Sequence, residues 1–216
     1  MNSPLPAAAV APAKRPRGRP RKTLDERDEG NRRRALVRAA ARLFRRKGFD
    51  ATSTRDIAAA VGMHSGSPFY HFESKSALLY AVMEEGMRTA IARQAEVLEP
   101  REPAERQLRR LIRSHFDTLH GRGRDFIPLM LYESRSLSAR QRAGIARLQR
   151  EYEAAWMPAL EALAAAQRLG TEARLARLLI FGALNWTAQW FDPRKGATLD
   201  ELTDAAMALF IGRKAG

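Results

Sequence analysis

The side chains best suited to contact chemistry gather between Thr52 and Lys75, in TSTRDIAAAVGMHSGSPFYHFESK. Thr54, Arg55, Ser65, Ser67, Tyr70, His71 and Lys75 supply hydroxyls, a guanidinium, an imidazole and an ammonium. These are the groups that bond phosphate oxygens and base edges, while Gly66 permits close backbone approach. Bond-making chemistry has no comparable assembly. The chain has no cysteine, no Gly-rich phosphate loop and no Gly-x-Ser-x-Gly nucleophile turn. His115 and His120 are five apart, a spacing that predicts different helix faces and no shared metal. Neither catalysis nor a bound cofactor or metal is expected.

Charge points the same way. The net charge is +14 over 216 residues, which suits a polyanionic partner. Residues 1–75 hold 17 Lys and Arg against 7 Asp and Glu, so most of the excess sits in the first third. Absence of cysteine fits a reducing cytoplasm, and no apolar run is long enough for a membrane span. The apolar residues from Leu5 to Ala13 are interrupted by prolines and follow no positive region, unlike a signal peptide.

The elements that must position these side chains read as helices. Residues 1–30 are expected to be a disordered basic arm, rich in Pro and Ala. Its Arg17-Gly18-Arg19-Pro20 core admits two readings, a solvated tail or an AT-hook-like segment placing Arg17 and Arg19 in a minor groove. From Asn31 to Lys47, Leu36, Ala40, Leu43 and Phe44 mark one helix face, with Arg34, Arg38, Arg42 and Arg45 on others as a solvated, DNA-attracting surface. Gly48 ends that helix. Ser53-Thr54-Arg55-Asp56 has capping-box spacing, Ile57 to Val61 is apolar, and Gly62 supplies a turn before the segment Ser65–His71. Ser74 caps a further helix. Two short helices joined by a Gly turn form a helix-turn-helix, whose second helix enters the major groove.

This ordered series resembles the DNA-binding unit of the TetR family of bacterial regulators. The resemblance covers roughly Arg32 to Ile91: a basic helix ending Arg-Arg-Lys-Gly-Phe, then Ala-Thr-Ser, Ile-Ala-Ala-Ala-Val-Gly, Tyr-His-Phe-Glu-Ser-Lys and Ala-Leu-Leu. Three departures stand out. His64 occupies the place of a Ser or Thr cap, so Ser65 is the alternative cap. Phe69 replaces a phosphate-contacting Tyr, whose role passes to Tyr70 or is absent. Pro68 falls in the first turn of the recognition helix. Tyr70 and His71 remain open to either a DNA contact or a packed role.

The rest of the chain predicts an all-α fold, with residues 31–75 as the DNA-binding domain and 76–216 as a helical effector-binding and dimerisation domain. Helices are expected from Ser74 to about Leu98, Ala104 to His120, Phe126 to Leu137 (short), Ser138 to Leu169 (kinked at Pro158), Glu172 to Phe191 and Leu199 to Ile211. Pro100 and Pro103, Gly121 and Gly123, and Asp192-Pro193 mark the breaks. The family resemblance implies a homodimer through the last two helices, with Leu179, Ile180, Leu184, Leu202, Leu209 and Phe210 as interface candidates. It also implies an effector pocket, for which Met83, Met87, Phe116, Phe126, Met130, Tyr132, Trp156 and Trp186 are candidates; each reads equally as ordinary core. Ser-Gly-Ser-Pro-Phe-Tyr-His-Phe together with Ala-Leu-Asn-Trp-Thr-Ala-Gln-Trp-Phe resembles a subgroup tied to lipid and sterol catabolism, which implies an acyl-CoA or other apolar effector. The expectation is a cytoplasmic repressor that binds a palindromic operator in double-stranded DNA and is released by ligand. The alternative is an architectural DNA binder without effector.

Overall fold

In α1 (Leu24–Lys47), Leu36, Val37, Ala40 and Phe44 recur at three- and four-residue spacing and are buried, while the arginines between them face solvent. The computed structural model describes residues 24–63, 68–99, 101–121, 126–192 and 194–212, and every regular element among them is helical. α1 begins at Leu24, seven residues before the expected start at Asn31. Residues 24–29 contain no Pro or Gly, so nothing in them resists helix. Gly48, at φ +84°, closes α1, and the Phe49 ring then packs on Phe44 at 5.2 Å between centroids.

The local signals around the helix-turn-helix are obeyed. Ser53 caps α2 (Thr54–Ala59), its hydroxyl accepting from Asp56 N–H while the Asp56 carboxylate accepts from Ser53 N–H at 2.8 Å. Gly62 lies at φ +68°. α3 (Pro68–His71) follows, then Ser74 caps α4 (Lys75–Val97). Ile57, Ala58 and Phe72 are buried, with Val61 packed beside them.

Beyond α4 the chain forms α5 (Ala104–His120), α6 (Ile127–Tyr132) and a 3-10 turn (Ser134–Ser136). α7 (Ala139–Ala154), α8 (Met157–Ala165), α9 (Ala173–Trp190) and α10 (Leu199–Phe210) complete it. The single kinked helix expected over 138–169 is instead two. Proline has no N–H for the carbonyl four residues back and its ring clashes there, so α7 stops at Ala154 and Pro158 falls in the first turn of α8. Capping boxes at Ser138/Gln141 and Thr198/Glu201 start α7 and α10.

α4 packs on α1, α5, α6 and α7, and α5 packs on α8, α9 and α10. One continuous core therefore runs from Phe44 and Phe72 through Met83, Ile112 and Trp156 to Ile180 and Leu184. No helix among the described residues is long and apolar enough to cross a membrane. Pro100, Gly123 and Pro193 lie outside the described residues.

Candidate functional site: a nucleic-acid face and a half-open cavity

Capping of α2 fixes Thr54 half-exposed and Arg55 exposed at its first turn. The carboxyl of Asp56 is held down to about 2, chiefly by the Ser53 hydroxyl and backbone N–H, with Lys47 at 3.4 Å adding to this. It is therefore ionised throughout the physiological range and keeps the cap closed. Tyr70 projects from α3 with 90% of its surface exposed, and His71 is half-exposed beside it. An aromatic hydroxyl so exposed on a short helix contributes nothing to the core, which favours a contact role over the packed alternative. Ser65, Gly66, Ser67 and His64 lie outside the described residues, as do Arg17 and Arg19 and the side chains of Pro68 and Phe69.

Lys75 is placed differently from its expected phosphate role. Its Nζ donates to the carbonyls of Phe49 at 2.9 Å, Thr52 at 3.1 Å and Asp50 at 3.3 Å, and lies 4.3 Å from the Phe49 ring centroid. An ammonium has three N–H donors, and all three are taken. Lys75 thus ties the loop between α1 and α2 to the start of α4. Arg33 makes a second tie, its guanidinium 4.9 Å over the Phe72 ring.

A half-open cavity of ≈ 100 Å³ lies between α4, α5, α6, α7 and α9, with Leu131 and Gln149 at its exposed edge. Of the eight residues considered for a pocket, Met87, Phe126 and Met130 line it. Met83, Phe116 and Trp156 are instead fully buried core, and Tyr132 and Trp186 are exposed. The periodic pattern identified apolar residues but not which of several buried faces surrounds a space. Sequence reasoning missed a polar floor. His115 Nε2–H donates to Asn185 Oδ1 at 3.2 Å, leaving Nδ1 to accept from the Tyr152 hydroxyl at 3.0 Å. Burial pushes the His115 imidazolium down to about 4 and raises the Tyr152 phenol, so both are neutral and this tautomer is fixed. Below them Trp156 Nε1–H donates to Gln94, whose amide donates to the Tyr152 carbonyl at 3.0 Å. The available signal was polar residues inside apolar runs, such as Asn185 between Leu184 and Trp186. His120 also turns toward α9, meeting Thr187 Oγ1 at 2.9 Å. Both histidines thus bond to α9, each through its own partner. No group among the described residues could hold a metal ion.

α9 presents a second surface. Leu175, Leu178, Leu179, Trp186 and Trp190 form an exposed stripe at helical spacing, and Leu209 of α10 is 82% exposed. Of the interface candidates, Leu179 of this stripe and Leu209 of α10 are exposed. Leu202 and Phe210 are half-buried, while Ile180 and Leu184 point into the chain's own core. Trp186 belongs to this stripe rather than to the cavity.

Two family models match the chain. The family model described as bacterial regulatory proteins, tetR family, matches residues 36–82, and the one described as Tetracyclin repressor-like, C-terminal domain, matches residues 101–213. The chain is 24% identical over 190 residues to the HTH-type transcriptional repressor KstR2 of Rhodococcus jostii, covering 87% of this chain and 93% of that protein. Among solved structures, superantigen PfiT is 37% identical with a TM-score of 0.73, covering 83% of this chain and 95% of that one. AibR, solved with isovaleryl coenzyme A and operator DNA, shares the fold at 23% identity and a TM-score of 0.76, covering 83% and 97%. A helix-turn-helix at the N-terminal end, an all-helical remainder, and a C-terminal family model spanning just over half of the residues lead to one assignment: the chain belongs to the TetR family of transcriptional regulators.

Proposed function

We propose that the protein is a homodimeric repressor that reads a palindromic operator and is released from it by a small apolar or acyl-type effector. The observation that carries this reading is α4. Its first residue, Lys75, anchors the DNA-binding unit, while Met87 and Ala90 on the same helix line the cavity. Occupation of the cavity and the attitude of the helix-turn-helix are therefore set by one rigid element. The exposed apolar stripe on α9 and α10 supports dimerisation, because an isolated chain gains nothing by leaving three leucines and two tryptophans of one helix in water. AibR, crystallised with an acyl-CoA, lends the ligand class; the Met and aromatic lining suits an apolar chain.

In this reading Thr54, Arg55, Ser65, Gly66, Ser67, Tyr70 and His71 meet the duplex, with Arg17 and Arg19 of the arm in the neighbouring minor groove. Lys75 holds the unit's shape. Ligand favours a conformation whose two recognition helices are misspaced, so operator affinity falls by a coupling of roughly 1–3 kcal/mol. The test is selection from a random DNA pool at physiological salt, followed by titration of the selected site with acyl-CoA thioesters and free apolar acids. Recovery of an inverted repeat and at least fivefold release by one ligand is expected. An A·T-rich pool without an inverted repeat would instead establish the architectural reading, in which the arm dominates.

A further inference from the structure

Two hollows share a wall. The half-open cavity between α4, α5, α6, α7 and α9 is small, at ≈ 100 Å³. That is well below the few hundred Å³ of a typical ligand site. Beside it, between α1 and α4, an open cleft of ≈ 300 Å³ is lined by Arg38 and Arg42 of α1 and by Arg93, Glu85 and Thr89 of α4. Ala90, Thr118 and Phe126 border both spaces. Of the three only Phe126 has a side chain large enough to act as a partition. Its ring lies against the backbone of Gly86, where a Cβ would stand 2.2 Å from Phe126 Cγ. Glycine at 86 is what lets the ring lie there.

The charges in the cleft are unmatched. Three guanidiniums face one carboxylate, Glu85, and among the described residues none of the three makes an ion pair. Arg93 is eighteen residues along α4 from Lys75, about 27 Å at the helical rise, so this end of the cleft is remote from the DNA face. The smaller pocket, by contrast, offers no free charge: both ring nitrogens of His115 are occupied by Tyr152 and Asn185, and its one carboxylate, Glu153, is paired with Arg177. One hollow suits an anion and the other an apolar chain.

We propose that cleft and cavity are two halves of one site for an anionic amphiphile. Its anionic group sits on Arg38, Arg42 and Arg93, and its apolar tail displaces the Phe126 ring from Gly86 and runs toward Met87, Met130 and Phe181. This rests on the ligand-responsive reading and deepens it by fixing the effector's charge. It also makes α1, a helix of the DNA-binding unit, part of the effector site, so the ligand grips both units directly. A carboxylate and a phosphate-bearing thioester share the required chemistry.

The test is calorimetric titration of the full-length, DNA-free protein with octanoate, its coenzyme A thioester and its methyl ester. One anionic probe should bind roughly tenfold or more tightly than the neutral ester. Arg38→Gln/Arg42→Gln/Arg93→Gln should lose roughly that factor for the anion alone, while melting as the wild type does. Comparable binding of octanoate and the thioester assigns the arginines to a carboxylate; binding of the thioester alone assigns them to its phosphates. Phe126→Ala should bind dodecanoate more tightly than the wild type does. Equal binding of ester and anion, or an unchanged anion affinity in a folded triple variant, overturns the proposal. So does failure of every probe to bind. In that case release from the operator by some other ligand would leave the ligand-responsive reading standing, and failure of the wider panel would remove both.

Discussion

To protonate His115 the protein must charge an imidazole enclosed by Tyr152, Trp156 and Phe181, with ring centroids 5.9, 5.9 and 5.3 Å away. Burial takes it from 6.5 to about 4. A group so depressed contributes its full stability above the unfolded value and loses it as pH falls through the folded one. The thermal midpoint should therefore hold above neutrality and decline between about pH 6.5 and pH 4. His115→Gln should flatten that decline; an unchanged slope would assign it to another group. Asp56, held down to about 2 from 3.8, acts only below this window, so its effect is separable. Lys75 gives a second prediction. Lys75→Met should lower the melting temperature yet leave the salt dependence of DNA binding intact, whereas Arg55→Ala should lower the slope of log K against log salt by about one phosphate contact. A reduced slope in Lys75→Met would return that residue to the DNA. Its role was not legible in sequence because an ammonium after a helix-turn-helix serves phosphate and carbonyl equally well. Only the return of residues 49–52, more than twenty positions earlier, decides between them.

At the scale of elements, the joint between cavity and DNA unit is small. The Ser76 hydroxyl, one residue into α4, lies 2.8 Å from the Ser136 carbonyl and 3.0 Å from Gln141 Oε1. Ser136 ends the 3-10 turn after α6, and Gln141 closes the capping box of α7, so this joint couples the cavity's walls to the start of α4. Ser76→Ala should preserve ligand affinity in DNA-free protein while changing ligand-induced operator release by about 0.5–2 kcal/mol, read by fluorescence anisotropy. Equal release would place the coupling elsewhere. Caps, glycine stops and the amphipathic faces of α1 and α5 were legible because they are local. The split of α7 from α8 follows from one proline, yet its sharpness depends on how Trp156 seats in the core. α9 was ambiguous for a physical reason: apolar on two sides, it does not reveal from its own residues that Ile180 and Leu184 face inward and Leu178 and Trp186 outward.

For the whole molecule, the exposed stripe predicts its own partner. Leu178→Glu combined with Leu209→Glu should yield monomers in sedimentation with unchanged helical content, since neither side chain belongs to the chain's core. Affinity for the palindrome should fall on the order of 100-fold or more as two linked contacts become one. A dimer surviving both charges would move the interface to another face. α4 then carries a consequence beyond the protein. It is a 23-residue rod, about 35 Å long, with no proline within it to bend it. In the proposed dimer two such rods would act as the arms of a caliper, with the operator as the scale against which they are read. Each base pair added between half-sites moves them apart by about 3.4 Å and turns them by roughly 35°. A ligand that opens the caliper would therefore detach it from one spacing and fit it to another. The same occupied protein would release a gene behind the first operator and silence one behind the second, so the response is encoded jointly by the arms and by the phase of the DNA.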